Sequence, residues 1–349
     1  MRNRFMSRRE TIRNMFAGQG APDGAFWLGN PHPDTWPMLH EYFGTAAEED
    51  LRGLLNDDFR WVCPQWNSYQ HPCGKPMFDM QREGGGLSCG GVLAECESVS
   101  EVDRFPWPNP DYLDFTESLA TLDSLGDVYR ASAFWAPFYH EVADFFGMEN
   151  YFVKMCTHPD VVRAVTRHMV DFYLEANRRF FAAAGDKIDA VFCGNDLGTQ
   201  MDLQISPAMF EIFMLPYLKE LIDQAHQHSY AFILHSCGSI YRIIPQLIDA
   251  GVDGLHPLQA RAAHMDAETL GASYGDKLVW IGGIDTQKLL VEASPGLVRD
   301  EVNRVRECLG SRVIISPSHE ALLSDVRPEN VEAMARAARH TAASMVAAR

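Results

Sequence analysis

His235 and Cys237 stand two residues apart at the end of an apolar run, AFILHSCG over 231–238. Ala231, Phe232, Ile233 and Leu234 read as a buried strand, and in extended backbone residues two apart face the same side. An imidazole and a thiolate aimed at one point suit zinc, which takes nitrogen and sulfur ligands in a tetrahedral array. Two donors do not hold an ion, so a third must come from another strand end. His319, in SPSHE at 316–320, is the candidate. Three protein ligands leave the fourth position to water or substrate. A structural reading accounts for the same pair: cysteine is among the most buried residue types, and a histidine at a strand end can simply be hydrogen-bonded.

Other polar side chains gather at similar places. Asn195, Asp196 and Gln200 follow DAVFCGND (189–196); His256 and Gln259 close GVDGLHPLQ (251–259); Asp285 and Gln287 follow KLVWIGGID (277–285). RVIISPSHE (312–320) ends with Ser316, Ser318, His319 and Glu320. Each has a plain alternative: Asp285 as a helix cap, Gln259 and Gln287 as structural hydrogen-bonders, His256 before its proline as loop packing. For Asp196 the cap reading fits poorly, because the next helix opens ten residues later at Ser206-Pro207. It is expected in a pocket, with Asn195 and Gln200 beside it and either Glu320 or a backbone carbonyl partnering the second nitrogen of His319. Trp27, Phe134, Trp135, Phe138 and Tyr139 serve equally as pocket wall or core.

The elements that position these groups alternate from about residue 127 onward. Short apolar strands are separated by helices with clear punctuation: Ser206-Pro207 and Ser294-Pro295 at starts, Gly251 and Gly310 at ends. Pro216 predicts a kink within 207–227, and Val161, Val165, Met169, Phe172 and Tyr173 mark the core side of a helix near 160–183. Strand–helix alternation implies a parallel sheet, and no G-x-G-x-x-G follows any strand. With GAFWLGN (24–30) seven strands are placed and an eighth is not. The fold class read here is α/β, a distorted (β/α)8 TIM barrel, whose active site lies where the strands end. Residues 1–349 are read as one barrel domain, with 1–115 as an N-terminal helix and loop-rich elaboration. That helix is amphipathic, with Phe5, Ile12, Met15 and Phe16 on its apolar side.

Composition narrows the partners. Thirty basic against 47 acidic residues give a net charge of −17, which argues against nucleic acid and anionic membranes. No apolar run approaches the roughly 18 residues of a membrane span. The eight cysteines lack framework spacing, and the N-terminus lacks a secretion signal, so reduced thiols and a cytoplasmic location are expected.

The stretches GNDLGTQMDLQISPAMFEIFMLPYLKELI (194–222), FILHSCGSIYRIIPQLIDAGVDGLHPLQ (232–259), LVWIGGIDTQKLL (278–290) and VIISPSHEALLSDVRPENVEAM (313–334), together with PWPNPDYLDF (106–115), carry a resemblance. They resemble the uroporphyrinogen decarboxylase superfamily, in particular its corrinoid-dependent methyltransferase branch. The resemblance implies a zinc held by the H-x-C pair, matched by His235 and Cys237, and by a later cysteine, where this chain has His319. It implies a corrinoid on a separate carrier protein, since no D-x-H-x-x-G occurs here, and a small methylated donor or acceptor. The oligomeric state is left open, with a homodimer as one alternative. A zinc with one thiolate ligand is the stronger Lewis acid, so an oxygen or nitrogen methyl compound is favoured over a thiol. The alternative is a metal-free decarboxylase of a pyrrolic or aromatic carboxylate. That branch uses arginines near its first strand, where GAFWLGNPHPD has none. A non-catalytic tetrapyrrole or methyl-carrier binder is a third class.

Overall fold

The computed structural model describes residues 6–80 and 90–339; Phe5, Cys89 and most of the REGGGLSCGG stretch lie outside them. Eight strands run in chain order: β1 (Ala25–Phe26), β2 (Phe59–Val62), β3 (Tyr129–Ser132), β4 (Ala190–Gly194), β5 (Ala231–His235), β6 (Gly254–Leu258), β7 (Val279–Ile284) and β8 (Val313–Pro317). All pairings are parallel, and the order β1-β8-β7-β6-β5-β4-β3-β2 leaves only β1 and β2 without a ladder. That seam holds through Asp58, whose N–H donates to the Phe26 carbonyl at 2.9 Å while its Oδ2 accepts from the Phe26 N–H. The molecule is a nearly closed, distorted TIM barrel.

The strand absent from the sequence reading is β2. FRWV follows two aspartates and carries an arginine, so it lacks an apolar run. Arg60 is nonetheless buried, its guanidinium bridged to Glu49 at 2.7 Å and bonded to the Phe59 carbonyl at 2.8 Å. Pairing makes the burial tolerable.

Period-2 alternation sorts the side chains. On β5, Ile233 belongs to the barrel interior, whereas Phe232 and Leu234 join the outer core under the helices. The same parity sends His235 inward. On β4, Ala190 and Phe192 are interior and Val191 and Cys193 outer. The N-terminal helix Arg8–Phe16 closes the opposite end: Ile12 and Met15 enter the interior cluster, and Arg9 and Arg13 hold Asp189 at the start of β4 at 2.9 and 2.6 Å. With that end sealed, the strand C-termini are left as the open face.

The helix punctuation holds with one change. Ser206 and Ser294 cap helices Pro207–Phe213 and Pro295–Leu309. The expected kink is a full break: Met214 separates Pro207–Phe213 from Leu215–Gln227, because Pro216 sits in the first turn of the second helix. Helix Pro159–Ala184 buries Val161, Val165, Met169, Phe172 and Tyr173 as core. Among the described residues no helix is long and apolar enough to cross a membrane.

Candidate metal centre

His235 is the last residue of β5 and is buried inside the barrel. Its Nε2 lies 3.5 Å from Cys237 Sγ and 3.2 Å from Asp196 Oδ1. The HSCG turn explains how two residues of one strand end converge. Gly238 has φ +83°, its N–H donates to Gln259 Oε1, and a Cβ there would press on the Gly198 backbone at 2.4 Å. The turn also aims the Cys237 N–H at Asp196 Oδ1, at 2.8 Å. Asp196 therefore belongs to this cluster and caps none of the described helices. The ligand atoms of Asp196, His235 and Cys237 lie within 4.8 Å of one another, as do those of His235, His256 and Glu320.

These groups fit a divalent cation by charge and by spacing. Burial opposes ionisation of Asp196, but the His235 ring, the Cys237 N–H and His140 outweigh it and hold the carboxyl well below the ordinary range. Burial likewise opposes a charged His235; Glu320, Asp196 and Cys237 overcome it and raise the ring well above its usual pKa. The Cys237 thiol is lowered, because His235 and His319 outweigh its burial. An ionised carboxylate and an acidic thiol thus draw a positive charge to His235 Nε2, which a metal ion supplies equally well. With Zn–N of about 2.0–2.1 Å and Zn–S of about 2.3 Å, tetrahedral ligands sit about 3.6 Å apart, close to the His235–Cys237 separation. Glu320 Oε2 is buried without a hydrogen-bond partner among the described residues, 3.7 Å from His235 Nδ1.

His235 is held by a second histidine. Its Nδ1 lies 2.8 Å from His256 Nδ1. Burial, then the nearby His235 and His319, press His256 well below its usual pKa, so it is neutral and accepts. His256 is an interior residue of β6 packed on Trp27 and Phe192, which corrects its reading as loop packing.

His319 stands beside Cys237, and hydrogen bonding to that sulfur is the main cause raising its pKa. Its Nδ1 accepts the Ala321 N–H at 3.1 Å and lies 3.6 Å from Glu320 Oε2. An accepting Nδ1 puts the neutral ring's proton on Nε2, a donor and not a lone pair.

The remaining strand-end residues divide. Asn195 braces backbone: Oδ1 accepts from Tyr139 N–H at 2.9 Å and Nδ2 donates to the Ala136 carbonyl at 3.2 Å. Gln259 serves the Gly238 turn, as its structural reading has it. Asp285 accepts from the N–H groups of Gln287, Lys288 and Leu289, the cap reading. Gln200, Gln287 and Ser318 line a cleft of ≈ 370 Å³ that reaches His319. Of the aromatics, Phe134, Phe138 and Tyr139 are core. Trp135 packs on His235 with centroids 4.9 Å apart, and the absent side chain of Gly194 makes room for its ring.

Two contributors, His140 and Arg261, carried no sequence signal, and a third, Trp135, is open in the sequence between pocket wall and core. His140, in helix Phe138–Phe146, accepts the Asp196 N–H at Nε2, 3.2 Å away. Trp135 is fixed between Ala133 and Ala136, both with positive φ, in a turn no motif announces. Arg261, on the loop after β6, lines the cleft beside His319.

Among proteins of known structure, a methyltransferase from Methanosarcina mazei matches with a TM-score of 0.68, covering 95% of this chain and 98% of that one at 14% identity. Identity that low speaks to the fold alone. No curated protein sequence matches. A profile described as uroporphyrinogen decarboxylase (URO-D) matches residues 142–341, which takes in β4 to β8, the HSCG turn and the loop holding His319 and Glu320. Spanning more than half of the sequence and every candidate ligand, that match places the chain in the uroporphyrinogen decarboxylase (URO-D) family.

Proposed function

We propose that the protein is a zinc-dependent methyltransferase that moves a methyl group between a small methylated compound and a corrinoid carried by a partner protein. The observation that supports this most is the convergence of buried His235 with half-buried Cys237 and Asp196 at the strand C-termini. A decarboxylase without metal gives the His235–Cys237 pair no task.

His235 Nε2 and Cys237 Sγ are the first two ligands. Asp196 is the better third donor in the described geometry, being ionised and already 3.2 Å from Nε2. His319 becomes a ligand only by giving up the Ala321 N–H; otherwise its Nε2–H steadies the thiolate of Cys237. When bound, zinc supplies Lewis acidity that stabilises negative charge on the atom losing or gaining the methyl group.

The protein groups do the rest. His256 fixes the orientation of His235, Asp196 fixes the Cys237 backbone, and Trp135 excludes water from one side of the imidazole. Glu320 provides carboxylate charge behind both histidines. Asn195 keeps the turn after β3 in place, and Gln200 faces the substrate side. A single thiolate in the ligand set makes a harder site than two, so departure of a methyl group from oxygen or nitrogen toward the corrinoid is favoured.

The test uses untagged protein with zinc, cob(I)alamin and a panel of aliphatic and aryl methyl ethers, following methylcobalamin formation by absorbance. Zinc-dependent formation supports the proposal. Carbon dioxide release from an aromatic or pyrrolic carboxylate without any metal requirement overturns it.

A further inference from the structure

Arg261 stands out in an acidic chain because its guanidinium is so little engaged. Its nearest partner is Asp285, with Nη1 to Oδ2 at 3.5 Å, and it makes no hydrogen bond to any other described residue. Asp285 is a weak competitor, since its oxygens already receive the N–H groups of Gln287, Lys288 and Leu289 at 3.1 to 3.2 Å. The arginine therefore holds donors that are not matched within the protein.

Its position is fixed. Ala262 N–H donates to the Gln259 carbonyl at 2.8 Å, Ala263 N–H to the Gln200 carbonyl at 2.9 Å, and Ser239 Oγ to the Ala263 carbonyl at 2.6 Å. The loop after β6 is thus tied to those after β4 and β5. Arg261 projects from this tied loop into the ≈ 370 Å³ cleft that ends at His319.

The lining narrows the ligand. Gln200, Thr286 and Gln287 present side chains with no hydrogen bond to described residues, and among the described residues no Phe, Tyr or Trp lines the cleft. Without an aromatic wall, a quaternary ammonium or a broad ring has little to pack on. A planar anion, in contrast, matches the guanidinium fork bidentately. Asp285 and Asp325 also border the cleft, and Arg261 is exposed as Asp325 is, so screening falls on both charges. What favours an anion at the guanidinium is its unmatched donors and fork geometry, not the net charge of the lining.

We propose that this cleft is the substrate subsite and that Arg261 anchors the carboxylate of a small aliphatic methylated acid, leaving the methyl-bearing end toward His319 and Cys237. The inference rests on the methyltransferase reading for the identity of the ligand, but the anion site is testable without turnover.

Methoxyacetate and its neutral counterpart 2-methoxyethanol are the probes, titrated by ligand-observed NMR into zinc-loaded protein, Arg261→Gln and Arg261→Lys. Methoxyacetate should bind at least about tenfold more tightly than 2-methoxyethanol. Arg261→Gln should erase the difference with zinc content unchanged, and Arg261→Lys should keep part of it. Equal binding of the two probes, no saturable binding of methoxyacetate, or a preference unchanged in Arg261→Gln overturns the assignment. If the preference depends on Arg261 but no methyl transfer to cob(I)alamin occurs, the cleft stands and the methyltransferase reading fails.

Discussion

His235 and His256 meet nitrogen to nitrogen, their Nδ1 atoms 2.8 Å apart inside the barrel. One proton fits between them. Because His256 is held neutral by burial, the proton belongs to His235, whose Nε2 is then the atom left to face Cys237 and Asp196.

His256→Leu removes that acceptor and, among the described residues, leaves Glu320, at 3.7 Å, behind His235. Outer partners of metal-bound histidines are worth about 10–100-fold in affinity. Zinc affinity, measured by competition with a chromophoric chelator, should fall by that order while the fold persists. An unchanged affinity shows that His256 is packing and nothing more.

Asp196 and His319 compete for the role of third ligand, and two variants separate them. Asp196→Ala should lower zinc affinity by about tenfold or more. His319→Ala should retain most zinc while raising the pH at which Cys237 alkylates in the metal-free protein, since a hydrogen bond to the thiolate is lost. The reverse pattern makes His319 the ligand. In either case His319→Cys adds a thiolate and should gain methylation of a small thiol from methylcobalamin at the expense of ether demethylation.

Glu141 gives the fold a pH dependence that is independent of metal. Burial pushes its carboxyl up to about 7, against the hydrogen bond from the Tyr173 hydroxyl. A carboxyl raised in the folded state is protonated there while already ionised in the unfolded chain. Its contribution is therefore full below the ordinary carboxylate range and is lost as pH rises toward 7. The slope is at most about 1.4 kcal/mol per pH unit. Glu141→Gln keeps an acceptor for Tyr173 and should flatten the denaturation midpoint between pH 5 and 7.5 relative to wild type, as urea titrations would show. Parallel profiles for the two proteins contradict the raised carboxyl.

The barrel was legible wherever apolar runs recur, because a strand buried on both faces reads as a continuous apolar run. β2 left little: Phe59, Trp61 and Val62 are apolar, but Arg60 interrupts a run of only four residues, and its burial depends on Glu49 and the neighbouring β3. At the site, His235, Cys237 and Asp196 could be read because all three come directly off strand ends. His140 could not, and Trp135 could not be told from core, since its approach depends on the strained turn after β3 and on a glycine at 194. The ring orientation of His319 is set by one backbone N–H two residues on, a detail no spacing reveals.

The central claim is that His235 and Cys237 hold a zinc ion. Elemental analysis of untagged protein, purified without added metal or chelator and compared with Cys237→Ala, tests it most directly. The account predicts close to one zinc per wild-type chain, with most of it lost in Cys237→Ala while the circular dichroism spectrum stays the same. Wild-type protein without zinc that also fails to take it up on titration, or a Cys237→Ala variant that keeps its full zinc content, contradicts it.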